Sequence, residues 1–288
     1  ATIYDEPFAD SSQIPTFIVS KMAREYVTVA LSGDGGDELF GGYTRYAQCN
    51  AYWNIFRKIP SFIKSSGKNG LRFLYGETQG GRAARARKML AARNALEFYQ
   101  ARIAVWSDAQ MLVKIKSGLI IDSTRSVKKM KDLSLIEKFM LLDSQTYLPD
   151  DILTKVDRAS MATSLEVRVP ILDHRIVEFA WTMPMDYKLF AGISKWPLRN
   201  ILSKHIPENL FDRPKQGFSP PLAMWLRHEL REWAGELIFA KYLDDFQLNY
   251  KSVRDMWKQH QENTHDRSYY LWPAICLSAW LKKNHTEF

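Results

Sequence analysis

The sequence predicts an α/β fragment that is predominantly α-helical, and three observations carry that expectation. A short, β-branched apolar run from Val27 to Leu31 stops abruptly in an acidic, glycine-rich turn, Ser32 to Asp37. Most of the chain beyond it spaces its apolar residues at helical intervals. No second stretch reads as clearly as a strand, although one strand cannot make a sheet. The missing partners are therefore expected upstream of residue 1, which makes the chain a fragment.

Taken in order, Thr16 to Arg24 reads as a helix with Phe17, Ile18 and Met22 on one face. Val27 to Leu31 suits a strand buried on both faces, as in a parallel sheet. A helix-like segment from Glu38 to Asn50 follows the turn. Ser65 to Gly70 and Gly76 to Gly81 read as loops flanking a basic region with Arg82, Arg85, Arg87 and Lys88. Ala84 to Met111 is helical in pattern, and so is Leu133 to Leu148, where Pro149 supplies a stop. Asp150 can cap a helix over 151–162. Asp173 can cap another, with Ile176, Val177, Phe179 and Ala180 inward and Pro184 at its end. Two or three more helices are expected beyond Pro220, closing with Tyr269 to Lys283. This divides the chain into a remnant of a nucleotide-binding α/β layer at 1–60, a variable basic helical insert at 61–130, and a helical substrate and lysine-loop region at 131–288.

Composition excludes several classes. At 288 residues, 46% hydrophobic and 25% charged, the balance is that of an ordinary globular chain. Two cysteines without CxxC spacing imply neither a disulfide framework nor zinc, so a reducing cytoplasm is the expected location. No apolar run reaches the ~18 residues a membrane helix needs, and residues 271–281, the nearest, are broken by Pro273 and Ser278. The net charge of +8 suits a protein that holds polyphosphate or nucleic acid and does not separate the two.

The turn after the strand carries the chemistry. A strand, a glycine-rich turn and a helix together form a common anion site, because glycine lets backbone N–H groups approach a phosphate. Here the turn also holds Asp34, Asp37 and Glu38. Three carboxylates would repel a phosphate unless a cation lies between, and oxygen ligands of this kind point to Mg²⁺. A plain turn with Asp37 as a helix cap is the competing reading.

The full string is Leu31-Ser32-Gly33-Asp34-Gly35-Gly36-Asp37-Glu38-Leu39-Phe40-Gly41-Gly42-Tyr43. It resembles the synthetase domain of asparagine synthetases and their relatives. Asp5-Glu6-Pro7 with Asp10-Ser11-Ser12, the run Tyr147 to Arg158, the run Leu165 to Asp173, and Arg213-Pro214-Lys215-Gln216-Gly217-Phe218 resemble further segments of that family in the same order. The turn with four further ordered motifs across nearly the whole chain is far more specific than one motif.

The resemblance implies a sheet of the adenine-nucleotide α-hydrolase type (a PP-loop ATP pyrophosphatase) followed by a helical region. It implies that ATP adenylates a carboxylate, usually the side chain of aspartate, that pyrophosphate leaves, and that ammonia attacks. The ammonia would come from glutamine through a separate N-terminal glutaminase domain, which nothing here resembles. By position, Leu31, Ser32, Gly33 and Gly35 would lie against the nucleotide, and Asp37 matches the magnesium-binding aspartate. Asp34 matches the acid beside the reacting carbonyl, and Lys215 matches a lysine that stabilises charge as pyrophosphate departs. Lys155, Asp157 and Arg158 are secondary cleft candidates. Asp151 with Lys155 could equally be a surface i,i+4 pair, while Asp157 and Arg158 read as functional or buried and paired. Glu166 and Arg168 read as a buried ion pair in the cleft wall, ranked below the others.

The family's Ser-Gly-Gly-x-Asp-Ser phosphate loop has no counterpart here; Ser66-Gly67-Lys68 and Gly80-Gly81-Arg82 do not fit it. A truncated and catalytically incomplete piece is therefore expected. Asp34 also stands where many glutamine-dependent relatives have Glu, which leaves the acceptor open between aspartate and other acids, as in sugar-acid amidotransferases or β-lactam-forming synthetases. A homodimer stays open. A basic helical nucleic-acid module is disfavoured, because the aromatics sit at core spacing and are not interleaved with Arg82 to Lys88. A Ser-His-Asp hydrolase is weaker still, since no G-x-S-x-G occurs.

Overall fold

The computed structural model describes residues 1–75, 82–106, 124–212, 217, 219–244 and 250–285. In chain order the elements are α1 (Gln13–Arg24), β1 (Val29–Leu31), α2 (Gly36–Leu39), α3 (Thr44–Phe56), α4 (Ser61–Tyr75), α5 (Arg82–Leu90), α6 (Ala95–Ile103), α7 (Arg125–Lys129), α8 (Leu135–Gln145), α9 (Thr154–Met161), β2 (Glu166–Arg168), α10 (His174–Thr182), α11 (Met185–Lys188), β3 (Leu189–Phe190), β4 (Ile193–Ser194), α12 (Trp196–Leu202), α13 (Leu222–Arg227), α14 (Arg231–Ile238), α15 (Lys251–Gln261) and α16 (Ser268–His285). The fold is predominantly helical. The chain folds into two compact units whose segments alternate along it: residues 1–12, 58–121 and 219–288 form one, and residues 13–57 and 122–218 form the other.

The second unit holds the strand and its turn. β1 pairs in parallel with β2, with Val29 opposite Glu166, Ala30 opposite Val167 and Leu31 opposite Arg168. The ladder continues where Ser32 N–H donates to the Arg168 carbonyl at 2.9 Å. The strand thus has a partner far downstream in the same chain, contrary to the expectation that all partners precede residue 1. The pairing was hidden because Leu165 to Val169 is only a short alternation. β1 is not buried on both faces, since Val29 and Leu31 are exposed, and so are Ile18 and Met22 of α1. The face of α1 that is covered packs on α9.

Glycine and proline account for most shifts in element boundaries. The helix expected over 38–50 is broken, because Gly41 adopts φ +65° between α2 and α3, a conformation that costs glycine little. The helix expected to run to Leu148 ends earlier, at Gln145, where Thr146 adopts φ −130°, and Pro149 lies in the helical segment that follows. Asp150 N–H donates to the Thr146 carbonyl at 2.9 Å, and the backbone widens into a π-helical turn over Leu148–Leu153 that runs into α9. Proline sits in its first turn, where the missing N–H is tolerated. α8 opens on a capping box between Ser134 and Glu137. The Asp173 carboxylate accepts from Arg175 N–H at the start of α10. In that helix only Ala180 is fully buried and Phe179 faces solvent, so the inward face is narrower than its apolar content suggests.

The first unit is built on a core of Leu226, Ala234, Leu237, Ile238, Val253, Leu271 and Ile275 from α13–α16. The end of its N-terminal segment is tied in by Trp280 Nε1–H, which donates to the Asp5 carbonyl at 2.9 Å. Ser65 to Gly70, read as a loop, lies inside α4, which packs along α5. The pattern over 84–111 splits into α5 and α6, where Asn94 caps the second helix through Glu97 N–H. Residues 76–81 and 107–111 lie outside the described residues. Both cysteines are free thiols, and burial pushes that of Cys276 up to about 12. No helix among the described residues is long and apolar enough to cross a membrane.

Candidate active site

The acidic turn follows β1 directly. Ser32 Oγ–H donates to Asp34 Oδ2 at 2.5 Å. Gly35 adopts φ +82°, and a Cβ there would collide with Leu172. Gly33 is different, because no atom of the described residues lies within 4 Å of where its Cβ would stand. α2, the helix after the turn, has only four residues, too few to present much of a dipole to an anion. What holds it is apolar: Leu39 and Phe40 are buried with Ala180, against Ile171, Leu172, Val177, Trp181 and Leu198.

The positive charge at this turn comes from a residue the sequence did not single out. Lys195 Nζ lies 2.9 Å from Asp37 Oδ1, with both side chains about one quarter exposed. Lys195 reaches there from the short β3–β4 hairpin, which pairs Leu189 with Ser194. It adopts φ +55°, and its N–H donates to the Phe40 carbonyl at 3.3 Å. A Cβ on Gly42 would strike both the Asp37 carboxylate and the Lys195 side chain, so glycine is required for the pair to form. Only a weak signal marked Lys195: a lysine shortly after Gly192 in a hairpin-like stretch. Lys215 lies outside the described residues, as does the facing geometry expected between it and Asp34 and Asp37.

Beneath the turn lies a polar network that residue patterns did not reveal. Glu38 is 1% exposed and accepts from Tyr43 Oη at 2.8 Å. Burial raises its carboxyl pKa, and the Tyr43 hydrogen bond offsets this only in part. Burial, with the Glu38 charge beside it, also pushes the Tyr43 hydroxyl pKa upward. The Arg45 guanidinium sits 3.8 Å from the Tyr43 ring centre and 4.8 Å from that of Tyr147. It donates to Asp143 Oδ2 at 2.6 Å. Tyr46 Oη donates to the same oxygen at 2.9 Å, and the Asp143 side chain is fully buried. These contacts join the segment after the turn to α8, immediately before the π-helical turn.

The structure keeps the turn residues together and sets Arg168 across the ladder from Leu31. Glu166 and Arg168 form an ion pair at 2.6 Å, but the pair is exposed; positions two apart share a strand face, and here that face is open. Asp157 and Arg158 likewise pair with each other at 2.9 Å in the open, so neither is buried. Lys155 is half-buried on α9. Among the described residues no group of three His, Cys, Asp or Glu side chains could hold a metal ion.

The asparagine synthase family profile matches residues 1–282. The chain is 32% identical over 287 residues to asparagine synthetase (glutamine-hydrolyzing) 1 of Bacillus subtilis (strain 168), an alignment covering 96% of this chain and 44% of the relative. A putative asparagine synthetase (glutamine-hydrolyzing) of Mycobacterium tuberculosis (strain ATCC 25618 / H37Rv) is 32% identical over 286 residues, 96% of this chain and 42% of that protein. A putative asparagine synthetase (glutamine-hydrolyzing) 2 of Methanocaldococcus jannaschii is 38% identical over 177 residues, 58% of this chain and 32% of its own length. The chain thus spans less than half the length of the curated relatives it matches along most of its own length. With the acidic turn, the Leu165 to Asp173 run and the central helix all inside the matched span, the chain belongs to the asparagine synthase family.

Proposed function

We propose that the protein containing these residues forms an amide by ATP-dependent activation of a carboxylate in the cytoplasm, making asparagine from aspartate with ammonia drawn from glutamine. The observation that carries this reading is the Asp37–Lys195 pair at 2.9 Å beside an uncovered Gly33. Neither packing nor backbone conformation demands glycine at 33; close approach of a ligand does. In this reading β1 and β2 belong to a nucleotide-binding sheet of the adenine-nucleotide α-hydrolase type, and Leu31, Ser32, Gly33 and Gly35 border the nucleotide. Asp37 would supply one carboxylate to a Mg²⁺ ion accompanying ATP, a metal commonly bound by one or two carboxylates plus phosphate oxygens, and that ion would neutralise charge on the phosphates. Lys195, held by Asp37 until substrate arrives, and Lys215 place positive charge where the leaving pyrophosphate becomes more negative. Asp34, oriented by Ser32, is positioned to hold or take a proton from the attacking amine.

The test is asparagine and AMP formation by the full-length protein. Lys195→Met is expected to lower kcat by about 100-fold or more, the scale of losing one charge-stabilising donor. An unchanged kcat for that variant removes Lys195 from the site. Aspartate compared with other acids in the same assay identifies the acceptor. Residues 1–288 by themselves are expected to release no pyrophosphate from ATP, and measurable release would overturn that expectation.

A further inference from the structure

The roles proposed for Asp37 and Lys195 conflict with their contact. Paired at 2.9 Å, the carboxylate and the amine satisfy each other, and neither is free for a ligand until they part. Lys195 is carried by residues 185–195, which hold α11, the β3–β4 hairpin and the residue that opens α12. The segment rests on the turn where Met185 and Leu189 lie within 4 Å of the position a Gly41 Cβ would take. It is tied there by the ion pair and by Lys195 N–H, which donates to the Phe40 carbonyl at 3.3 Å.

Three residues of this segment are unfavourable where they stand. Lys188, at the end of α11, is fully buried, and among the described residues its Nζ has no hydrogen-bond partner. Burying an amine without an acceptor is costly, and more so when it is charged. The Trp181 ring centre, 5.2 Å from Nζ, offers a cation–π contact. Glu137 lends a negative charge, yet burial outweighs it and lowers the pKa of the amine from 10.5. The hairpin turns through Ala191 and Gly192, both at positive φ, +51° and +80°. A two-residue hairpin loop demands this; glycine adopts it freely, whereas a residue with a Cβ does not. Lys195, at φ +55°, bears the same penalty. Only two residues pair on each side of the hairpin, and an isolated hairpin has little stability of its own.

We propose that residues 185–195 form a hinged arm, in which the buried Lys188 amine and the left-handed Ala191 keep the closed form only marginally preferred, so that Lys195 can leave Asp37. Unfavourable contacts gathered in one segment lower the free energy of opening that segment while the rest of the unit stays folded. Opening gives the Lys188 amine water, relaxes Ala191 and Lys195, and frees both members of the ion pair. A hairpin with a purely structural task would be better served by methionine at 188, which fills similar space without a polar atom, and by asparagine or glycine at 191. The inference rests on the roles proposed above for Asp37 and Lys195, and adds how their contact is broken.

The experiment is residue-resolved hydrogen–deuterium exchange on the full-length protein without ligands. The hydrogen-bonded amides of 189–195 are expected to exchange about 100-fold or more faster than those inside α8, because they open locally. The Lys195 amide is the critical one, since its bond to the Phe40 carbonyl breaks when the arm leaves the turn. Lys188→Met is expected to slow this exchange about tenfold or more, the scale of relieving one unsatisfied buried donor, and to raise the thermal midpoint. Ala191→Gly is expected to slow it about fivefold, the scale of one left-handed residue relieved. Exchange at 189–195 no faster than in α8 would overturn the proposal. So would exchange that neither variant slows, or a Lys195 amide that does not follow the hairpin. A lower midpoint in Lys188→Met would overturn it as well, because the amine would then be stabilising the closed form. The exchange needs no turnover, so absent opening refutes the arm, whereas absent amide formation by the wild-type protein refutes the reaction.

Discussion

Glu38 and Asp143 are the two carboxylates whose placement decides most at the scale of single residues, and they are managed differently. Asp143 is fully buried with two donors on one oxygen, Arg45 and Tyr46. Arg45→Met takes one of these two donors from that buried charge, and removing one partner of a buried pair costs about 3 kcal/mol or more; urea unfolding at pH 7 measures it. Glu38 accepts from the Tyr43 hydroxyl, and its carboxyl pKa is raised by burial. A carboxyl raised in the folded state favours folding fully below its unfolded value of 4.5 and loses that contribution as pH rises through the folded value. Glu38→Gln keeps an acceptor for Tyr43 and removes the charge. Its thermal midpoint should therefore gain on wild type progressively as pH rises above 4.5, and a constant difference across that range would refute the assignment. Glu38 stood out in the sequence only as the last acid of the turn and Asp143 not at all, because the burial of Asp143 depends on residues 97 and 98 positions away.

At the scale of elements, the turn between α2 and α3 is the critical joint. Gly41 breaks the helix, and Gly42 leaves room for Asp37 to meet Lys195. Gly42→Ala pushes one methyl into that pair, with an expected cost of about 1–3 kcal/mol for overpacking. It should also lower kcat in the full-length protein along with Lys195→Met, and near-additive effects of the two variants would show that the glycine acts elsewhere. In the other unit, α13 and α15 are clamped by Arg227, whose Nε–H donates to the His260 carbonyl at 2.9 Å. The His260 ring is buried, with Nδ1 accepting from Arg267 N–H at 3.2 Å. Arg227 and Asp266 also face the ring. Burial, then the Arg227 charge, lowers the His260 pKa from 6.5. A base lowered in the folded state contributes stability above its unfolded value and loses it as pH falls through the folded one. Stability should therefore fall below pH 6.5, and His260→Gln should flatten that slope in a melting series from pH 5 to pH 8.

At the scale of the whole molecule, the chain passes between its two units four times, after residues 12, 57, 121 and 218. Contiguous pieces therefore hold parts of both units. Residues 131–288 alone lack β1, which pairs with β2, and α2 and α3, which pack on α8. Expressed by themselves they should show no cooperative thermal transition, and a sharp one would mean that the cores are separable along the sequence. Much was legible without coordinates: the strand entering its acidic turn, the Asp173 cap and the overall helical character rest on local rules of propensity, capping and glycine conformation, which need only near neighbours in the chain. What tertiary structure alone decided was the pairing of Val29 with Glu166, the arrival of Lys195 at Asp37, the burial of Glu38, and the exposure of Asp157, Arg158, Glu166 and Arg168. Each of these depends on contacts between residues far apart in sequence, and burial and charge pairing are properties of what packs around a side chain, which spacing along the chain does not encode.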